Sequence, residues 1–265
     1  MKKYLVIIKT EWERQITYIT NSIGFRTGNL LEVLVQLIVW SAIFRSTNII
    51  KGYTYEMMMT YIIIGWLILF LTSTYDLNTG VARDIHLGTL SKYIVRPLSY
   101  IRYITFYSIG RSSFAMLTGL VIQVLILVFY IDKIVWTGHI PSIMLIILMV
   151  ILGYFIELFL SIIIGLLAFW FTEVSGLYFA LRVVRRLLSG AYFPISLLPA
   201  SYLTLSKIFP FVYTFFVPTQ IFIGKISFTE GLLGLAIEIV WVLILYGLIK
   251  LIWNKGLHKY EGYGI

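Results

Sequence analysis

Ile143-Met-Leu-Ile-Ile-Leu-Met-Val-Ile-Leu152 holds no polar side chain, so a helix built from it is apolar on every face. The stretch from Leu232 to Leu251 has the same character, broken only by Glu238 and Lys250. A surface helix of a soluble domain keeps one polar face; a helix without one belongs in a very large core or in lipid. Composition excludes the first. Of 265 residues, 60% are hydrophobic and only 12% are charged, and the mean hydropathy is +0.92. No water-soluble fold of that length could cover so much apolar surface.

Outward from these two stretches, segments able to cross about 30 Å of hydrocarbon lie at residues 23–45, 57–78, 102–131, 142–171, 174–193 and 229–253. The expected fold class is therefore an all-α polytopic membrane protein with six transmembrane helices. Residues 1–20 set Lys9, Glu11, Glu13 and Arg14 among Leu5, Ile8, Trp12 and Ile16, a pattern that predicts an amphipathic helix in the membrane interface. The start carries lysines without an apolar run and cleavage site, and is expected to be retained. With no repeat or linker, residues 1–265 read as one domain.

An even number of spans puts both termini on one side. Eleven lysines and arginines fall at the termini and in the segment near residue 90, against five in the opposite loops. The positive-inside rule thus predicts cytoplasmic termini and a multi-pass place in the cell membrane. The net charge of +9 is scattered between apolar runs, which argues for lipid and against nucleic acid as a partner. Zero cysteines exclude disulfides and thiolate chemistry. His86, His139 and His258 stand too far apart to suggest a metal centre.

Four of the six prolines, Pro194, Pro199, Pro210 and Pro218, follow Gly190 within the apolar region 190–228. Proline lacks the helix donor, so broken half-helices are expected there in place of a straight span. Residues Asn29, Glu32 and Gln36 follow helical spacing on the first expected span, and Arg182, Arg185 and Arg186 do so on the fifth. Charge within a span costs roughly 2.5–3.5 kcal/mol, so each stripe is expected to face protein or a cavity. Either buried packing contacts or a path for a polar or anionic substrate group would account for them. Glu157 and Glu238, lone acids in apolar spans, are expected to be paired structurally, the alternative being a proton relay in a secondary transporter.

Three segments together resemble the ABC-2 class of ABC transporter permeases, in the bacterial subfamily that has two permeases and a separate ATPase. The first is Arg83-Asp-Ile-His-Leu-Gly88-Thr-Leu90-Ser-Lys-Tyr-Ile-Val-Arg96-Pro97-Leu98; the second is Leu188-Ser-Gly190 through Pro199, with Pro210 and Pro218 beyond; the third is the tail from Gly256 to Gly264. The resemblance implies six spans, an N-terminal interfacial helix, and re-entrant half-helices in residues 190–228 before the last span. It also implies a second permease, in a heterodimer more readily than a homodimer, a pairing of Glu32 with one of the three arginines where the first and fifth spans of the two permeases meet, and ATPase subunits that bind ATP and magnesium. The expected function is efflux of a substrate across a bacterial plasma membrane by an ABC exporter.

The chain has no Gly-x-x-x-x-Gly-Lys-Ser/Thr; around Gly224-Lys225, Thr219 and Ile226 occupy the places of the first glycine and the hydroxyl residue. Neither a catalytic role nor a bound cofactor of its own is expected. Force must enter through a cytoplasmic element, and residues 81–100 are the candidate. There Ile85, Leu90, Tyr93 and Ile94 are expected to offer an apolar face to the ATPase, with Arg83, Asp84, Gly88, Lys92, Arg96 and Pro97 around it, the alternative being an interfacial helix that lies on anionic headgroups. An ion-coupled secondary transporter and an intramembrane enzyme are the competing classes. The first would want two related halves with matched helix breaks, and the second a nucleophile or paired carboxylates, neither of which the sequence offers.

Overall fold

The computed structural model describes residues 2–17, 19–74, 77–94, 99–136 and 139–260. Arg96, Pro97 and the tail beyond Tyr260 lie outside the described residues, as do the side chains of Asn29 and Ile94. Helices dominate: α1 (Lys2–Thr17), α2 (Ile19–Ile43), α3 (Tyr55–Leu71), α4 (Leu77–His86), α5 (Ser91–Ile94), α6 (Tyr100–Phe129), α7 (Ile140–Leu166), α8 (Ser175–Ser189), α9 (Ala200–Ser206), α10 (Phe211–Thr214), α11 (Phe216–Phe222) and α12 (Phe228–Lys259). Two-residue strands β1 (Ile49–Ile50) and β2 (Tyr53–Thr54) form a hairpin between α2 and α3. Its turn residues Lys51 and Gly52 both have positive φ, 46° and 78°, as a primed two-residue turn requires.

Local signals set the helix starts. The Thr54 hydroxyl accepts the Met57 N–H at 3.3 Å and opens α3. Ser227 and Glu230 exchange side-chain and backbone hydrogen bonds in a capping box that opens α12. Pro141 sits in the first turn of α7, where its missing donor costs nothing. In the proline-rich region, Pro199 and Pro210 stand immediately before α9 and α10, and Pro218 falls in the first turn of α11. The result is a broken path: Ala200–Ser206 and Phe211–Phe222 are bent by 93° to one another.

Among the described residues, α6, α7 with its 3₁₀ extension to Phe169, and α12 are long and apolar enough to cross a bilayer, and the bent pair makes a fourth if counted as one span. Shorter apolar helices run over Leu30–Ile43 and Tyr55–Leu71. The expected second span ends early because the polar run Thr72-Ser-Thr74 parts α3 from α4. The expected fifth stops at Gly190, so α8 has 15 residues and a length of about 22 Å. Gly190 has φ 83°, and a Cβ there would lie 2.8 Å from the Tyr61 hydroxyl, which donates to the Gly190 carbonyl at 2.7 Å. Only glycine closes the helix in that way.

Two apolar cores stack along the helices. One joins the hairpin, α3 and the α10–α11 region through Tyr53, Met58, Tyr61, Val212 and Phe215. The other joins α4, α7 and the C-terminal half of α12 through Val81, Ile85, Leu90, Ile162 and Ile249. The hairpin end is laced by Lys225 Nζ donating to Gly52 O at 2.7 Å and Lys51 Nζ donating to Leu197 O at 2.9 Å. At the other end the Tyr100 ring stacks on Trp253, 5.3 Å between centroids, and the Ser91 and Tyr260 hydroxyls are 3.1 Å apart.

The N-terminal helix α1 packs along α6. Tyr4 stacks on Phe106 at 5.0 Å, and Trp12 Nε1 donates to Ser113 Oγ at 3.0 Å. Between them Gly110 admits the α1 backbone, since a Cβ there would meet Ile8 Cα at 3.0 Å. Glu11 is buried in this seam and accepts from Arg14.

Candidate functional site

Helical spacing puts Arg182, Arg185 and Arg186 on one face of α8, and that face turns toward α2 and α7. Arg186 pairs with Glu32 of α2, and Arg185 pairs with Glu157 of α7. These ties enclose a cavity of about 200 Å³. Its lining includes Glu32 and Gln36, Glu157, the three arginines, Tyr178, Trp66 and Phe70, and the Thr72-Ser-Thr74 run where α3 gives way to α4. The cavity thus lies at the level where the two apolar cores meet. Polar backbone and side chains at such a depth need partners: the Thr72 hydroxyl donates to Ile68 O at 3.0 Å, and the Thr74 and Ser161 hydroxyls are 3.0 Å apart.

Of the residues that the sequence marked on the two polar stripes, Glu32, Gln36, Arg182, Arg185 and Arg186 therefore meet, within a single chain. Arg182 is exposed and sits over the Phe179 ring at 5.5 Å, whereas Arg185 is largely buried. Glu157, expected to be an acid with a structural partner, joins the cavity through Arg185. The Thr72-Ser-Thr74 run was missed, although a polar triplet inside an otherwise apolar span was the signal that would have found it. Glu238 is different. It is fully buried, and among the described residues neither carboxylate oxygen has a hydrogen-bond partner, so the pairing expected for it is not what the structure contains. It lies outside the cavity lining.

Residues 81–100 correct one expectation. Ile85 and Leu90 point inward, Leu90 being 0% exposed, and pack with Val81, Ile156 and Ile162. The apolar face they were to offer a partner is covered by this chain's own α7. What remains accessible is Arg83, His86, Leu87 and Lys92, with Asp84, Gly88 and Tyr93 half-buried. Asp84 holds the segment in shape: one oxygen accepts from Thr89 and the other from Tyr100, each at 2.8 Å. Gly88 takes φ 70° in the turn between α4 and α5. His86 Nε2 lies 3.2 Å from Ala168 O and 3.1 Å from Phe171 O, which fastens α4 to the end of α7. Close by, hydrogen bonds from the Ser175 hydroxyl and from its N–H, the latter at 2.7 Å, hold the exposed Glu173 carboxyl below its usual range.

In the proline-rich region, Gly190 ends α8, Pro194 precedes a 3₁₀ turn at Ile195–Leu197, and Pro199, Pro210 and Pro218 begin the short helices described above. Residues 211–221 are buried throughout. Gln220 donates to the Tyr53 hydroxyl at 2.7 Å and so joins this region to the hairpin.

Among the described residues no three His, Cys, Asp or Glu side chains gather as a metal ion would require. The arrangement is that of a bundle with a charged, partly open cavity between its two apolar cores and a braced polar segment at one end. A family model described as ABC-2 family transporter protein matches residues 30–264. No curated protein matches the chain.

Proposed function

We propose, from the premise that this chain belongs to the ABC-2 family of transporter proteins, that it is the membrane half of an ATP-driven exporter whose motor is a separate polypeptide. Membership makes the chain a multi-pass membrane permease of an ABC transporter, and such a permease works with an ATPase. The match over residues 30–264 carries the reading. The finer parts are ours. The direction is outward, across a bacterial plasma membrane. Two permeases pair, a second kind of chain being favoured over a second copy. ATP and magnesium are bound by the partner ATPase, since the 265 residues hold no phosphate-binding loop.

In this reading α2, α3 with α4, α6, α7, α8 and α12 make six crossings, and residues 190–228 form a re-entrant element on the outer side. The end that carries Arg83, Lys92, Arg102, Lys255 and Lys259 faces the cytoplasm, in keeping with the positive-inside rule. The ATPase docks on the accessible side of α4 and α5, around Arg83, Leu87 and Lys92. Its thrust passes through Asp84 into α6 and through the buried Ile85 and Leu90 into α7. Both routes lead toward the cavity, which is the pathway for substrate.

Leu87 is 65% exposed, so changing it should spare the fold. Leu87→Asp with Arg83→Glu is expected to cut the ATPase recovered with the permease in mild detergent roughly tenfold or more, as loss of an interface anchor does. The elution profile of the permease should stay the same. Wild-type recovery of the ATPase would remove the docking assignment.

A further inference from the structure

The cavity is not electrically balanced. Three guanidinium groups, of Arg182, Arg185 and Arg186, line it against the two carboxylates of Glu32 and Glu157. Two of the cations are committed to those carboxylates, and Arg182 forms no ion pair among the described residues. Arg186 also keeps its Nε–H buried and without an acceptor. A guanidinium cannot shed its charge as an amine can, so the surplus persists at any physiological pH. In an apolar chain such a charge is costly to insert unless something neutralises it.

The geometry of the donor suits an oxyanion. A guanidinium presents its N–H groups as a planar fork that pairs two oxygens of a phosphate or carboxylate at once. Size then limits how much of a ligand can enter. At about 200 Å³ the space is smaller than the pockets that enclose whole small molecules, which start at about 300 Å³. It accommodates a headgroup. The surface beside it is apolar: Val35 and Val39 of α2, three residues on from Glu32 and Gln36, are 57% and 48% exposed, and Phe179 of α8 is 58% exposed beneath the Arg182 guanidinium. An alkyl chain attached to the headgroup would lie there without entering water.

We infer that the cavity binds the phosphate headgroup of an anionic amphiphile, with Arg182 as its first contact and the α2 and α8 surfaces taking the chain. The inference rests on the permease reading above and names the class of molecule that its pathway takes. Arg182 is the free hand of the site; Arg185 and Arg186 are held by carboxylates that the arriving phosphate would displace or share.

The full chain, purified in dodecyl maltoside, is titrated with dodecyl phosphate while thermal unfolding is followed; a ligand that binds the folded state raises the melting temperature by mass action. Wild type should respond, and Arg182→Gln should need roughly tenfold more of the probe, the effect of removing one charge-assisted hydrogen-bonding group. Arg182→Lys, which keeps charge without the fork, should fall between them. Arg102→Gln, an exposed arginine of α6 away from the cavity, should behave as wild type. The proposal is overturned if Arg182→Gln responds like wild type or if Arg102→Gln loses the response. It is equally overturned if dodecyltrimethylammonium stabilises as well as dodecyl phosphate, or if inorganic phosphate alone reproduces the shift, which would mark a chainless anion site. No ATPase enters the measurement, so its failure leaves the docking result standing, and the reverse holds too.

Discussion

Arg185 and Glu157 join α8 to α7 with little access to water, their side chains being 20% and 9% exposed. Breaking such a pair from one side strands a charge, whereas neutralising both removes the penalty with the bond. Arg185→Gln is accordingly expected to lower stability by about 3 kcal/mol, and the double change Arg185→Gln with Glu157→Gln to recover most of it. Melting temperatures of the two variants in the same detergent check this; equal losses would mean that the contact is not what holds α8. At this scale helical spacing was informative about position, and only the family resemblance suggested a partner, setting Glu32 against one of the arginines across two permeases where the structure pairs it with Arg186 within one chain. Spacing alone put three arginines on one face of α8, because helical periodicity is local. That Arg186 reaches Glu32 and Arg185 reaches Glu157, 154 and 28 residues away, is tertiary and leaves no local trace. The same limit misplaced Leu90 and Ile85. An apolar face was legible there, but periodicity does not say whether the chain's own α7 or another molecule covers it.

Among the elements, the helix starts were the most legible and the helix ends the least. Prolines at 194, 199, 210 and 218 forbade a straight span by removing donors, and the structure answers with short helices and a 93° bend. The truncation of α8 at Gly190 was not foreseen, because the left-handed turn depends on Tyr61, which lies 129 residues earlier. The start of α12 gives a test of how far a cap matters in a long apolar helix. Ser227→Ala removes the hydroxyl that accepts the Glu230 N–H, leaving the residue 227 N–H to donate to the Glu230 carboxylate, and is expected to cost about 1 kcal/mol. For a chain of this size that corresponds to a fall in melting temperature of about 2–4 °C. An unchanged melting temperature would show that lipid-facing packing alone sets where α12 begins.

For the whole molecule, composition settled the solvent before any element was placed, since a chain that is 60% hydrophobic has nowhere else to fold. Orientation across the bilayer is simple to measure because the sequence has no cysteines. Leu87→Cys at the α4 end and Lys51→Cys in the hairpin each create a single thiol at an exposed position. In intact cells a membrane-impermeant maleimide is expected to label Lys51→Cys, and Leu87→Cys only after the membrane is opened. Labelling of both, or the reverse pattern, would overturn the assigned topology.

The seam along Gly110 fastens α1 to α6 by stacked rings, a hydrogen bond and backbone contact, so the two helices tilt together. Leu5, Val6 and Ile16 on the free side of α1 are each about 60% exposed and immersed in whatever surrounds them. Under the exporter reading proposed above, a stroke that rocks α6 would drag this outrigger sideways through the acyl chains, and turnover is then expected to vary with how viscous and how tightly compressed that leaflet is.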